Sequence, residues 1–239
     1  MTFRVLTGNR APGSPTYVLV HGIGTSHRYL ARLDRELSRS ADVVMVDLPG
    51  FGGLPKPDIA PSVTEMAVAL GDVLDGLDML DVVLIGHSMG AQWVVETGIL
   101  RPDLVSAVVV IGPVADDRHR TLRAQSTALA LDVLGETPLA NVVVFVDYLL
   151  CGPSWFLREC RHMLAYAIED RIPDLAVPLL VLRGGNDPIA GIDWCRRLRD
   201  RARFGSLVIV PGHRHNAQFT APRAVAGAIR EFVARRVSG

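Results

Sequence analysis

Read for where its apolar residues fall, the chain alternates short β-branched runs with longer segments whose apolar positions recur at helical spacing. Residues 16–20, 43–47, 82–85, 105–111, 179–183 and 206–210 predict strands, and 3–6 predicts an added edge strand. Between them, residues 29–38, 63–77, 91–100, 192–203 and 223–236 carry apolar positions with charges interposed, the pattern of amphipathic helices. Strands that are apolar along their whole length need cover on both sides. The pattern therefore predicts an α/β fold: a mostly parallel central sheet flanked by helices on both faces.

The interval 114–174 breaks that rhythm. It reads as a basic helix-like stretch at 116–134, an apolar one at 139–150, and a third at 155–169 after Gly152-Pro153. The β-branched cluster 142–146 leaves helix against strand open by pattern alone, although its neighbours favour several helices. The expected organisation is one domain with a core of residues 1–113 and 175–239 and a helical cap insertion at 114–174. No internal repeat, low-complexity tract or long linker interrupts it.

Charge narrows the partners. Lys plus Arg and Asp plus Glu number 25 each among 239 residues, so no strong net field invites nucleic acid or an anionic membrane, and the expected partner is a small molecule. The apolar stretch 138–150 is shorter than the ~18 residues a spanning helix needs and contains Asn141 and Asp147. Cys151, Cys160 and Cys195 are an odd number, and residues 1–13 hold no apolar leader core, so a reducing, cytoplasmic setting is expected. Oligomeric state is not legible in this pattern.

The candidate chemistry begins at Gly86-His87-Ser88-Met89-Gly90, between an apolar run and a helical stretch. A strand, sharp turn and helix at Gly-x-Ser-x-Gly exposes a serine hydroxyl as a nucleophile, the glycines allowing the two elements to cross closely. A serine hydroxyl needs a base within reach and an acid to orient that base. Asp187, in Arg183-Gly184-Gly185-Asn186-Asp187-Pro188 beyond a predicted strand, is the acid candidate, although an aspartate before proline also suits an ordinary turn. His215 and His213, in Gly212-His213-Arg214-His215 after the last predicted strand, are the base candidates, and composition does not separate them. Their His-x-His spacing lacks a third ligand nearby, so no metal is expected. The Met89 backbone N–H, and that of Ile23 in His21-Gly22-Ile23-Gly24, are the candidate oxyanion donors. His21 and Gly22, with Phe145, Tyr148, Trp155 and Phe156 from the insertion, are candidate substrate contacts, each aromatic also suited to packing inward. His87 is expected to pack or hydrogen-bond beneath the turn, and Trp93 to lie in the core.

These motifs, in the chain order Ser, Asp, His, resemble the α/β-hydrolase superfamily over essentially the whole chain, in its capped, serine-nucleophile form. Val46-Asp47-Leu48-Pro49-Gly50-Phe51-Gly52 is similar to the family's loop after the second main strand. The resemblance assigns the base to His215, seven positions before Pro222, and leaves His213 in the lead-in. Asp116 and Asp117 occupy the position after the fourth main strand from which some relatives supply the acid. What the resemblance implies is a cofactor-free serine hydrolase cleaving an ester, thioester or lactone through an acyl-enzyme, and the apolar content of residues 129–156 points to a small substrate with a hydrophobic acyl or aromatic group. The alternatives are a carbon–carbon (diketone-type) hydrolase or perhydrolase using the same triad, and a non-catalytic binding module of the same shape.

Overall fold

Seven strands form one sheet in the computed structural model, which describes residues 1–8 and 15–237, with side chains as far as 235. They are β1 (Arg4–Thr7), β2 (Thr16–Val20), β3 (Asp42–Asp47), β4 (Val82–His87), β5 (Val105–Ile111), β6 (Leu179–Gly184) and β7 (Gly205–Val210). The spatial order is β1-β3-β2-β4-β5-β6-β7, parallel throughout except for β1 against β3. The helices are α1 (Ala31–Leu37), α2 (Val63–Asp75), α3 (Gly90–Leu100), α4 (Leu122–Gly135), α5 (Pro138–Cys151), α6 (Pro153–Ala165), α7 (Ile168–Arg171), α8 (Ile192–Arg201), α9 (Ala217–Thr220) and α10 (Pro222–Val237).

Side chains of the central strands alternate between two buried clusters, which is why those strands are apolar along their length. Val18, Leu84, Val108, Val110 and Val181 join α2, α3 and α8 on one face. Leu19, Val83, Ile85, Val109 and Leu180 join α1 and α10 on the other. The α/β architecture read from the sequence is the one observed. Strands 16–20 and 105–111 coincide with their expected bounds, and the others shift by one or two residues. The shift that matters is in β4, which continues through Gly86 and His87 and delivers Ser88 directly from the strand.

Between β5 and β6 the chain forms helices, which resolves the cluster 142–146 as part of α5. Thr137 accepts the Ala140 N–H and Pro138 opens the first turn, so local capping overrides the β-branched composition. Gly152, at φ +73°, ends α5, and Pro153 opens α6. The expected helix at 116–134 is a 3-10 turn at Asp117–His119 followed by α4, which begins only after the Thr121 cap. The third stretch likewise divides, α6 ending at Ala165 and α7 standing apart. Asp147 fastens α5 to the loop after β2: its buried carboxylate accepts from Ser26 Oγ at 2.7 Å and Arg28 Nη1 at 2.8 Å. No single described helix is long and apolar enough to cross a membrane, and α5 and α6, which together pass that test, are bent by 99°. The three cysteines are buried and unpaired.

Candidate active site

Ser88 occupies the turn between β4 and α3 with φ +57° and is 8% exposed. Its N–H donates to the Ile111 carbonyl at 2.9 Å, and its carbonyl accepts from Ala91 at 3.0 Å, which ties the strained residue to β5 and α3. The flanking glycines are required by space. A Cβ on Gly86 would lie 2.2 Å from the Gly90 carbonyl oxygen, and one on Gly90 would lie 2.5 Å from that of His21.

The carboxylate and the imidazole come from beyond the ends of the last two strands. After β6, Asp187 is fully enclosed; its Oδ1 accepts the N–H groups of Ile189 (2.8 Å) and Ala190 (2.9 Å), leaving Oδ2 for His215. Arg183 braces the same loop, donating to the carbonyls of Ala190 and Asp187 at 2.6 and 2.9 Å. After β7, His215 donates Nδ1–H to Asp187 Oδ2 at 2.9 Å, so its Nε2 carries the free lone pair. Burial by itself lowers the histidine pKa, but the adjacent Asp187 carboxylate outweighs it and holds the imidazole above its ordinary value. Burial opposes ionisation of Asp187 in turn, and the His215 charge with its three donors overcomes that and lowers its pKa. Gly112, just past β5, makes room for the pair: a Cβ there would lie 2.9 Å from the His215 ring.

Beneath this pair lies a second histidine. His87 Nε2 faces the His215 carbonyl at 3.0 Å and must donate to it, so its Nδ1 accepts from Tyr29 Oη at 2.8 Å. Tyr29 Oη also accepts the Gly22 N–H at 2.7 Å. Burial and the neighbouring His215 push the His87 pKa down to about 3, so it remains neutral. One chain of hydrogen bonds thus joins the glycine loop after β2 to the loop of His215. His21 ties the loop after β2 to the loop after β3, donating Nδ1–H to the Gly22 carbonyl at 2.7 Å and accepting the Leu48 N–H at 3.0 Å.

Ser88 and His215 are walls of one cavity of about 100 Å³, with Gly22, Ile23, Tyr148 and Phe156 among its other walls. The Ser88 hydroxyl forms no hydrogen bond to a described residue. The Ile23 and Met89 N–H groups likewise take no acceptor among the described residues. Three of the expected substrate contacts lie elsewhere. Phe145 is 62% exposed, because Val144 and Tyr148 share the α5 face that meets the cavity and Phe145 is turned about 100° from it. Trp155 is buried against Phe51, ring centroids 6.3 Å apart, and over Gly50, while its neighbour Phe156 reaches the cavity. His21 is fully buried as the loop fastener described above. His213 bonds Thr220 Oγ1 at 3.0 Å and is not the partner of Asp187; Asp116 and Asp117 bind Arg197. Among the described residues no group of three or more His, Cys, Asp or Glu is arranged to hold a metal ion.

Sequence reasoning passed over several residues that organise the site: Tyr29, Arg183, Gly112 and Asp132. Tyr29 acts through His87, distant in sequence, which leaves no local signal, and Arg183 acts within its own loop through backbone carbonyls that any residue type supplies. Gly112 was findable as a glycine following a buried strand. Asp132 lies inside a helix and faces the cavity from there.

Residues 17–228 match the model of the alpha/beta hydrolase family. The chain belongs to that family, and it is an enzyme of the hydrolase class. It is 25% identical over 238 residues to (E)-2-((N-methylformamido)methylene)succinate hydrolase of Acinetobacter baylyi, covering 90% of this chain and 89% of that relative. It is 24% identical to esterase YbfF of Escherichia coli, covering 98% of each. Among solved structures, the enol-lactonase of Burkholderia xenovorans superposes with a TM-score of 0.80 at 19% identity, covering 98% of this chain and 96% of that one.

Proposed function

We propose that the protein is a serine hydrolase that cleaves a small hydrophobic carboxylic ester, thioester or lactone through an acyl-enzyme. The observation that carries this reading is the commitment of His215 Nδ1–H to Asp187, with His215 and Ser88 lining one cavity. In that tautomer Nε2 is the acceptor available to the serine proton. Ser88 Oγ attacks the carbonyl carbon as its proton passes to His215. Asp187 stabilises the imidazolium, and the Ile23 and Met89 N–H groups hold the developing oxyanion. Collapse of the tetrahedral intermediate breaks the bond to the leaving group, which takes the proton from His215. Water then enters with His215 as base and releases the acid from Ser88.

Residues 114–174 act as a cap in this reading. They supply Leu122, Leu129, Val144, Tyr148 and Phe156 to the cavity, and those walls favour an apolar acyl or aromatic group. The names of the esterase and hydrolase relatives support hydrolysis but not a particular bond.

The test uses the purified full chain with p-nitrophenyl esters of graded length beside thioesters and lactones, and a fluorophosphonate probe. Ser88→Ala is expected to lower kcat by at least about 10³-fold on every substrate cleaved and to abolish probe labelling. Wild-type turnover by Ser88→Ala would refute the assignment.

A further inference from the structure

Helix α4 of the cap reaches the loop that carries His215 at three points. Asp132, almost wholly buried, accepts the His215 N–H at 3.2 Å. Glu136, the residue that caps the end of α4, accepts the Asn216 N–H at 3.0 Å. Arg214 donates Nη2–H to the Leu131 carbonyl at 2.6 Å, and its Nε lies 3.4 Å from Asp132 Oδ1. The peptide unit that follows His215 is held by the core, where the His215 carbonyl accepts from His87 at 3.0 Å. The backbone of His215 is therefore fixed by its N–H to the cap and by its C=O to the sheet.

Resting on the Ser88–His215–Asp187 reading above, the geometry points to Asp132 as a positioning residue that makes the aim of the His215 imidazole depend on the seating of the cap. Asp187 sets the rotation of the ring, but where Nε2 falls relative to Ser88 also depends on where the loop backbone lies. If the acceptor for the His215 N–H is lost, Glu136 and Leu131 still hold the flanking residues, but the backbone of His215 itself is tied only through its carbonyl. A misplacement of about 1 Å at a reacting group lowers rate by roughly 10²-fold. The same helix gives the cavity Leu122, Gln125, Ser126, Leu129 and Val133 as walls. A substrate that packs well against α4 thus seats the element that aligns the base, so substrate fit is expressed in kcat and not only in KM.

The test compares Asp132→Ala, Asp132→Asn and Glu136→Ala in the full chain, after thermal melting has confirmed folding. Asp132→Ala is expected to lower kcat about 10- to 100-fold with KM within about threefold of wild type, since the aligned base is needed in the transition state and not for binding. Asp132→Asn, whose amide oxygen can accept the same N–H, is expected to restore kcat to within about threefold. Wild-type kcat in Asp132→Ala, a loss confined to KM, or an Asn variant as impaired as the Ala variant would each overturn the inference. If Asp132→Ala does not fold, Glu136→Ala carries the test: a severalfold drop in kcat without a change in KM supports it, and an unchanged kcat overturns it. Ser88→Ala separates the two levels of argument. If it is inactive while the Asp132 variants behave as wild type, only the positioning role falls; if it is active, the triad reading falls first.

Discussion

Glu159 on α6 is fully enclosed, and neither of its carboxylate oxygens has a hydrogen-bond partner among the described residues. An ionised carboxylate there has lost its hydration without gaining a donor, and burial pushes its pKa from an ordinary 4.5 up to about 8. The folded chain thus binds a proton at Glu159 that the unfolded chain has released over most of that interval. Its contribution to stability is fully present below the ordinary carboxylate value and is lost as pH rises through about 8. At about 1.4 kcal/mol for each pH unit of displacement, the loss amounts to about 4–5 kcal/mol, which relaxation of the helix and water entry reduce to roughly 2–4 kcal/mol. Glu159→Gln replaces the group with one of the same shape that cannot ionise. Urea unfolding of both proteins between about pH 5 and about pH 9 measures the consequence. Near pH 5 the two should be similarly stable, and the variant should gain on the wild type until it is more stable by roughly 2–4 kcal/mol near pH 9. His215, whose raised pKa gives stability the same sign of pH dependence, is present in both and cancels in the difference. Parallel stability curves would refute the reasoning.

The geometry around His215 and Tyr29 carries three further outcomes. His215 must be neutral to accept the serine proton, so kcat/KM on an activated ester should fall on the acid side with a midpoint above the ordinary histidine value of about 6.5. Asp187→Asn should move that midpoint downward while lowering kcat about 10³- to 10⁴-fold, and a pH–rate profile with an unmoved limb would contradict it. Tyr29→Phe removes the hydroxyl shared by the Gly22 N–H and His87, leaving two buried polar groups unpaired; a loss of about 2–4 kcal/mol by urea unfolding is expected, together with reduced kcat.

The candidate site was legible to the extent that its chemistry is local. Gly86, Ser88 and Gly90 occupy one tight turn, so their spacing reports the backbone crossing that creates it. Asp187 and His215 were visible as polar residues in loops following apolar strand-like runs, although choosing His215 over His213 needed the family resemblance. Pocket residues were harder to read. Phe145 and Tyr148 lie in the same helix, and only the rotation of α5 about its axis decides that one meets solvent and the other the cavity. Trp155 and Phe156 are neighbours in sequence and diverge for the same reason.

By itself the sequence determined what depends on neighbours along the chain: which stretches alternate as strand and helix, and where a glycine-flanked serine must turn sharply. Periodicity, capping and sterics act over a few residues, so a string of letters is enough to express them. Only the tertiary structure decided that Tyr29 bridges Gly22 to His87 and that Asp132 on α4 holds the backbone of His215. Those contacts depend on how packed elements are rotated and displaced against one another, and that is set by the whole core at once.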